Sequence, residues 1–277
     1  MAASRLNINL QALTANYRYL GQLSSSATQT GAAVKADAYG LGLGPVSKAL
    51  YNSGCRQFFV AHLSEGLALR QEIADQICQI FVLEGPQKDE MPDYLAHQLT
   101  PVLNSAEQLD RLSSFNQTVL NPLSAAVHID TGMSRLGLDK AGFEALTSSM
   151  SSSHPLSVCL VMSHLACADE PAHELNTDQL EKFKQLSAAF KDTKKSLSNS
   201  AGILLGQEFH FDLTRPGISL YGTMSDPATV DENLQPVFSW QADILQVRMI
   251  EKGETVGYGA EFTATHPTKL ATLGVGY

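Results

Sequence analysis

Lys35 is the residue whose setting first suggests chemistry. It lies inside the mostly apolar segment Ala-Val-Lys-Ala-Asp-Ala-Tyr-Gly at positions 33–40, where a charged amine is costly to bury because it must leave water. One interpretation is a lysine that reaches solvent or pairs with Asp37. The other is a Schiff-base lysine, a role in which desolvation activates the amine. Glycines at positions 40, 42 and 44 mark a tight turn after the segment and add some support to the second interpretation, although the first is preferable from the position alone.

Four other residues could do chemistry, but each has a structural explanation that is preferable when the residue is taken alone. His164 at a predicted strand end is more often a hydrogen-bonded structural histidine, and Arg215 in Arg-Pro-Gly is more often part of a rim ion pair. Ser200 and Gly217 are typical of a helix cap and a turn. Residue types alone therefore leave the function open.

Short apolar segments alternate with helical patterns over about the first 225 residues, as expected for buried parallel strands that are covered on both faces. The predicted strands are 32–38, 58–62, 80–83, 99–103, 125–131, 158–164, 196–200 and 217–221. Eight strands separated by helices predict an α/β fold with a (β/α)8 barrel, although a doubly wound sheet has the same alternation. In a barrel, residues that do chemistry cluster at the carboxyl ends of the strands, and His164 and Ser200 end the predicted strands 158–164 and 196–200.

The pattern changes after Tyr221, where residues 234–250, 254–264 and 269–277 alternate as strands do. We predict a barrel over residues 10–232, the start of a β domain over 233–277, and an N-terminal strand over 1–9 that joins the β domain. Because the sequence ends without a closing element, we expect an incomplete, truncated β domain and weak turnover by the chain as given.

Composition bounds the function further. The chain has 277 residues and a formal net charge of −9, which argues against nucleic acid or an anionic membrane as a partner. No apolar run approaches the ~20 residues of a membrane helix, and no signal-peptide pattern opens the sequence. The four cysteines have no CxxC spacing, so we predict reduced thiols, a cytoplasmic protein and no metal site.

Several longer motifs resemble those of the bacterial alanine racemases, the barrel-type enzymes that depend on pyridoxal 5'-phosphate. The motifs are AAVKADAYGLG at 32–42, HIDTGMSRLG at 128–137, MSHLACADE at 162–170, SNSAG at 198–202, TRPGISLYG at 214–222, VGYGAEFTA at 256–264 and GVGY at 274–277. The resemblance runs essentially from end to end. It implies a (β/α)8 barrel followed by a β domain, a homodimer whose active sites are shared between subunits, and D-alanine supply for peptidoglycan.

The resemblance also implies roles for the residues that match the motifs. Lys35 would hold the cofactor and act as the base on one face of the α-carbon of alanine. Tyr258 would be the acid/base on the opposite face, reaching the other subunit's site, and His164 would hydrogen-bond that tyrosine. Arg215 would face the pyridine nitrogen of the cofactor.

The remaining implied contacts concern the phosphate and the substrate. Tyr39, Ser200, Gly217 and Ile218 match phosphate contacts, while Arg135 and Tyr277 match residues around the substrate. His128 departs from the family, because many members have a lysine there, sometimes carbamylated. What holds Arg135 is then left open between His128 itself, a bound anion and water.

Two alternatives accompany this prediction. One is an amino-acid racemase of broader specificity, which differs in a substrate pocket that the chain contains only in part. The other is a single-domain, cofactor-binding homeostasis protein with little turnover. The strand-rich region after position 234 and the catalytic-type tyrosine at 258 disfavour the second alternative.

Overall fold

A computed structural model describes residues 4–75, 77–149, 156–224 and 231–276. The chain divides into two compact units. The larger unit comprises residues 10–237, and the smaller unit comprises Met1–Asn9 with Phe238–Tyr277.

The strands and helices of the described residues are numbered in chain order. The strands are β1 (Ser4–Ile8), β2 (Gln29–Thr30), β3 (Ala32–Ala33), β4 (Gln57–Val60), β5 (Gln79–Val82), β6 (Thr100–Leu103), β7 (Ala125–His128), β8 (Val158–Met162), β9 (Lys194–Ser196), β10 (Leu213–Thr214), β11 (Phe238–Ala242), β12 (Ile244–Ile250), β13 (Thr255–Val256), β14 (Phe262–Thr263) and β15 (Thr268–Leu273). The helices are α1 (Leu10–Gln22), α2 (Lys35–Gly40), α3 (Leu43–Asn52), α4 (Leu63–Glu72), α5 (Met91–Ala96), α6 (Ala106–Asn116), α7 (Lys140–Ser149), α8 (Glu174–Ser187) and α9 (Ser200–Leu205).

The larger unit is a closed parallel barrel. Strands β3 to β9 form one parallel sheet in chain order, and β10 pairs in parallel with β2. Only Gly31 separates β2 from β3, so the two act as one strand with a partner on each side. On its other side, the β10 segment reaches the β9 segment, where the Arg215 amide donates to the Ser198 carbonyl at 3.0 Å. The prediction of an α/β barrel followed by a β unit is confirmed.

Apolar side chains fill the barrel and the layer outside it. The inner cluster takes residues from almost every strand: Ala33, Phe59, Phe81, Val102, Ala126, Leu160, Met162 and Leu213. The rings of Phe59 and Phe81 stack at 4.7 Å between centroids. A second, larger cluster packs the helices against the outer face of the strands. This double coverage explains why the predicted strands are continuous apolar runs.

For three of the predicted strands, the structure differs from the prediction near the carboxyl end of the barrel. The segment 217–221 was predicted as a strand, but Ile218–Tyr221 is a short 3-10 helix, and the eighth strand is β10. The regular pairing of β10 with β2 ends at Thr214; Pro216 has no amide hydrogen to donate and contributes only its carbonyl, which accepts the Ala33 amide at 2.9 Å. The first strand ends at Ala33 rather than at position 38, and Ser200 begins helix α9 instead of lying in a strand.

The smaller unit is built from antiparallel pairs. Strand β1 pairs with β11, β12 pairs with β15, and β13 pairs with β14. Between β13 and β14 the chain makes a single 3-10 turn, Tyr258–Ala260, which Gly257 precedes and which contains Gly259. Within the described residues of both units, no helix combines the length and apolar character needed to cross a membrane.

Arg70 connects helix α4 to the loops that precede strands β5 and β6. Its buried guanidinium donates to the carbonyls of His97 at 3.0 Å, Asp75 at 2.8 Å, Cys78 at 2.9 Å and Gln98 at 3.0 Å. These four backbone acceptors, together with the Ile73 carbonyl at 3.5 Å, share one cation in place of a carboxylate. Removing the guanidinium leaves buried and partly buried carbonyls without donors, which is expensive.

We therefore expect Arg70→Met to lower the free energy of unfolding by about 3 kcal/mol, because methionine fills the space without donating hydrogen bonds. Urea titration measures the change. Lys140→Met is the control, since Lys140 forms only an exposed 3.9 Å ion pair with Glu144 and should cost less than about 0.5 kcal/mol. Equal losses of unfolding free energy in the two variants would contradict the proposed stabilising role of Arg70.

Candidate active site

The predicted barrel residues converge on one cavity at the carboxyl ends of the strands. The cavity has a volume of about 340 Å³. Seven predicted site residues line it: Lys35, Tyr39, His164, Ser200, Arg215, Gly217 and Ile218. These residues come from the first, sixth, seventh and eighth strand segments, so only barrel closure brings them together.

Lys35 stands at the start of a turn with unusual backbone geometry. The four residues after it, Ala36 to Tyr39, have φ between 52° and 58° and ψ between 33° and 51°, which is one turn of left-handed helix. Each non-glycine residue in this conformation costs about 1–2 kcal/mol. Inside the turn, the Asp37 side chain accepts the Leu43 amide hydrogen at 2.7 Å. The turn places the side chains of Lys35 and Tyr39 on the same cavity.

Tyr39 forms one wall of the cavity and approaches Gly217 closely. Its ring lies 4.8 Å from that of Tyr221, and the Tyr221 hydroxyl donates to the Ala33 carbonyl at 3.3 Å. A Cβ atom at position 217 would lie 2.4 Å from the Tyr39 hydroxyl oxygen. Glycine is thus required at position 217 for the observed packing.

Arg215 is a buried cation among neutral groups. It donates to the Ser196 hydroxyl and the Ser163 carbonyl, both at 2.5 Å. Within the part of the chain that the structure describes, none of the ion pairs includes Arg215. Burial lowers the pKa of Arg215 to about 9, so the side chain stays charged at neutral pH. Such a group favours an electron-rich ligand atom in the cavity.

Ser200 lies where several hydrogen-bond donors meet. Its hydroxyl oxygen accepts the Gly217 amide at 2.9 Å and the Ser219 amide at 3.2 Å, and the Ser219 hydroxyl lies 2.9 Å away. Asn199 caps helix α9 by accepting the Gly202 amide at 2.9 Å. Hydroxyls and backbone N–H groups of this kind suit an oxyanion such as a phosphate.

His164 follows strand β8, and a buried glutamine of helix α8 holds its backbone. The Gln179 side chain donates to the His164 carbonyl at 2.9 Å and accepts the Ala166 amide at 2.9 Å. Burial, followed by the positive charge of Arg215, keeps the pKa of His164 well below its usual value. His164 is therefore a neutral hydrogen-bonding group. Gln179 was not predicted, although a fully buried amide on an amphipathic helix is a usable signal.

His128, the departure from the family pattern, has a defined partner. Asn104 donates from its amide nitrogen to the Leu83 and Val102 carbonyls at 2.9 and 3.0 Å, so its Oδ1 must accept. The His128 Nδ1 lies 2.9 Å from that oxygen and therefore carries the proton. Burial and then Arg215 lower the pKa of His128 to about 4. The ring is neutral, and Nε2 is left as an acceptor.

The structure places the other predicted site residues differently. Arg135 is exposed and follows a loop whose Gly132, Met133 and Ser134 amides donate to Asp130 Oδ1 at 2.9 to 3.1 Å. Of this loop, Met133 lines the cavity. Tyr258 belongs to the smaller unit and is 96% exposed there. Tyr277 lies outside the described residues.

Comparisons with known proteins agree with the motifs. The family model of the alanine racemase N-terminal domain matches residues 8–225, and that of the C-terminal domain matches residues 237–277. The catabolic alanine racemase of Agrobacterium fabrum is 45% identical over 277 residues, which cover all of this chain and 70% of that protein. An alanine racemase of Cereibacter sphaeroides is 42% identical over 279 residues, with 100% and 75% coverage.

Solved structures give the same result. The alanine racemase of Bartonella henselae, with covalently bound pyridoxal phosphate, superposes with a TM-score of 0.91 at 36% identity and covers 99% of this chain and 75% of that one. The biosynthetic enzyme of Pseudomonas aeruginosa gives 0.88 at 34% identity, with the same coverage. The match to a C-terminal domain removes the single-domain, cofactor-binding alternative.

The lowered pKa of His128 predicts a pH-dependent stability. The unfolded ring, with a pKa near 6.5, binds a proton before the folded ring does, so stability is complete above pH 6.5 and is lost as pH falls toward 4. Glutamine at position 128 keeps a donor toward Asn104 but does not titrate. Between pH 7 and pH 5, the free energy of unfolding of His128→Gln should therefore fall by about 2 kcal/mol less than that of the parent. Urea titrations at both pH values test this. Parallel losses would mean that His128 is not held neutral.

Proposed function

Because the chain belongs to the alanine racemase family, we propose that its barrel cavity interconverts L- and D-alanine with pyridoxal 5'-phosphate held by Lys35. The observation that carries the proposal is the convergence, in one cavity, of Lys35 and the buried Arg215, which forms no ion pair among the described residues. A lysine and a buried donor in one cavity suit an aldehyde-bearing ring with an acceptor nitrogen.

The residues of the cavity fit this cofactor. Lys35 would hold it covalently, and Arg215 would donate to the pyridine nitrogen. Ser200, Gly217 and Ile218 would bind the phosphate through hydroxyl and amide donors, next to the Tyr39 hydroxyl. Glycine at position 217 supports this assignment, because it lets the Tyr39 hydroxyl lie against the backbone of the segment, where a Cβ would displace it. When bound, the cofactor supplies the electron sink that stabilises the deprotonated α-carbon.

Arg215 would also tune the cofactor. A guanidinium has only donors, so it cannot accept a hydrogen bond from a protonated ring nitrogen. Because its pKa of about 9 keeps it charged at neutral pH, the facing nitrogen would stay unprotonated. An unprotonated nitrogen weakens the electron sink and limits side reactions such as transamination.

Racemisation requires a proton donor or acceptor on each face of the α-carbon. We propose the amine of Lys35 for one face and the hydroxyl of Tyr258, contributed by the partner of a homodimer, for the other. His164, neutral through burial, would hydrogen-bond the tyrosine. Positioned proton transfer of this kind contributes about 10²–10⁴-fold to rate.

The substrate carboxylate would be bound near Arg135 and Tyr277. A guanidinium suits a carboxylate because both are planar and form two parallel hydrogen bonds. The neutral His128, with Nε2 free to accept a hydrogen bond, would take the orienting role that a lysine has in many family members. These assignments rest on the motif matches and on the chemistry of the groups.

Two broader statements complete the proposal. We propose that the reaction supplies D-alanine for peptidoglycan; relatives carry both names, biosynthetic and catabolic, and the chemistry is the same in each direction. A cytoplasmic location is supported by four free cysteines, since thiols persist in reducing compartments.

The function is tested by incubating the purified chain with pyridoxal 5'-phosphate and L-alanine and measuring D-alanine. We expect D-alanine to form, borohydride followed by peptide mapping to place the pyridoxyl group on Lys35, and Lys35→Ala to abolish both. L-Serine, assayed in parallel, tests broader specificity and should react at least about tenfold more slowly, because a hydroxyl alters the fit of a small pocket. Absence of both racemisation and α-deuteration would contradict the proposal.

The roles of the two bases are separable in D2O. We expect Tyr258→Phe to reduce racemisation by about 10²-fold or more, while Lys35 still exchanges the α-proton of D-alanine with solvent. Exchange from L-alanine should be lost. Tyr51→Phe, which removes only a hydrogen bond to Asp75, is the matched control and should behave as the parent. Equal loss of exchange from both enantiomers in Tyr258→Phe would overturn the assignment.

A further inference from the structure

Glu65 contacts the backbone at the point where Lys35 enters its left-handed turn. Its Oε1 accepts the Ala36 amide at 2.6 Å. Its Oε2 accepts the amides of Ala61 at 2.7 Å and His62 at 3.2 Å. One half-buried carboxylate thus joins the ends of the first and second barrel strands, and Glu65 lies 29 residues from Ala36 in the chain.

From this geometry we infer that Glu65 is a positioning residue for Lys35. The inference rests on the proposed role of Lys35 as cofactor lysine and base. The amide that Glu65 binds belongs to the peptide group between Lys35 and Ala36. Fixing the plane of that group fixes the direction in which the Lys35 side chain leaves the backbone.

The strained backbone of the left-handed turn explains why a contact such as that of Glu65 is required to hold it. Four consecutive residues without a glycine adopt φ between 52° and 58°, a conformation that is strained for residues with a Cβ. Such strain persists only where surrounding contacts determine the conformation. Internal bonds hold the end of the turn, where the Leu43 amide reaches Asp37. At its beginning, the Ala36 amide is bonded to Glu65, through a charge-assisted hydrogen bond of the stronger kind.

Glu65 is itself held rigidly. It lies in the first turn of α4, where it completes a capping box with His62. Glu84, after strand β5, holds the same corner from the other side through His62 Nδ1 at 2.7 Å and the Leu63 amide at 3.2 Å. Leu69 anchors α4 in the core and is fully buried. The carboxylate therefore connects the turn at Lys35 to the packed outer layer of the barrel.

Because Glu65 also caps a helix, the test must separate the two roles. Glu65→Gln keeps the shape of the side chain but replaces one oxygen with a donor, which cannot bind an amide hydrogen. Ala36→Gly removes the strain at the bonded residue, since glycine adopts positive φ readily. A double-mutant cycle compares the parent, the two single variants and the variant that carries both substitutions. Glu72→Gln is the control, because Glu72 lies on the same helix and forms a surface ion pair with Lys48 at 2.6 Å.

Two measurements are made on each protein. Amide hydrogen exchange of residues 34–43, without cofactor, should be about tenfold faster in Glu65→Gln, the equivalent of one lost charge-assisted hydrogen bond. With cofactor, kcat for alanine should fall by about 10²-fold while KM changes much less, because a displaced base affects the reaction more than binding. Ala36→Gly should restore about tenfold of the lost kcat in the double variant. Glu72→Gln should match the parent in both measurements.

The outcomes distinguish the possibilities. If Glu65→Gln loses stability but leaves the exchange at 34–43 and kcat unchanged, Glu65 is only a helix cap and the inference is wrong. Loss of kcat that glycine at position 36 does not restore would also overturn it. If the parent has no racemase activity, the proposed function fails, and the exchange measurement still decides whether Glu65 holds the turn.

Discussion

Backbone hydrogen bonds that close the barrel are the contacts on which the site depends. The Gly31 amide donates to the Thr214 carbonyl and the Ala33 amide donates to the Pro216 carbonyl, each at 2.9 Å. These bonds bring the segment that carries Lys35 beside the segment that carries Arg215, although 180 residues separate the two in the chain. Without closure, the lysine, the buried arginine and the glycine at 217 would lie at opposite edges of an open sheet. The inner cluster of apolar residues supports the closure, since it takes a side chain from almost every strand.

The resulting cavity is positively charged, but few of its groups can give up or take a proton near neutral pH. Arg215 is charged, yet its hydrogen bonds go to a hydroxyl and carbonyls rather than to a carboxylate. Burial together with this charge lowers the pKa values of His128 and His164, so both rings are neutral. A site of this kind attracts an anionic cofactor and keeps histidines as hydrogen-bonding groups. Proton transfer is then left to groups that can reach the α-carbon, for which we propose Lys35 and Tyr258.

Side chains behind the cavity hold its loops through backbone contacts. Gln179 holds the segment of His164, Asp130 binds three successive amides in the loop before Arg135, and Asn104 orients His128. Glu65 does the same for the turn at Lys35. Apart from Asn104, whose partner is the His128 ring, each of these polar side chains satisfies backbone groups of a loop that regular pairing cannot reach. Catalysis is sensitive to displacements of about 1 Å, which gives a physical reason for this support.

Local sequence was sufficient to predict the α/β barrel, the β unit, the family and the cofactor, because apolar runs and specific motifs such as AAVKADAYGLG are contained in short segments. It was insufficient for the eighth strand, which ends at Thr214, shortly before Pro216 and Gly217. It was also insufficient for the left-handed turn after Lys35. Ala36, Asp37, Ala38 and Tyr39 have no intrinsic preference for positive φ, so the turn depends on the Asp37–Leu43 hydrogen bond at its end and on the distant Glu65 at its start. The neutral state of His128 likewise depends on Asn104 and Arg215, which are 24 and 87 residues away. The sequence by itself thus determined which groups are present, whereas tertiary structure decided their conformation and charge, since both depend on neighbours that only barrel closure brings into contact.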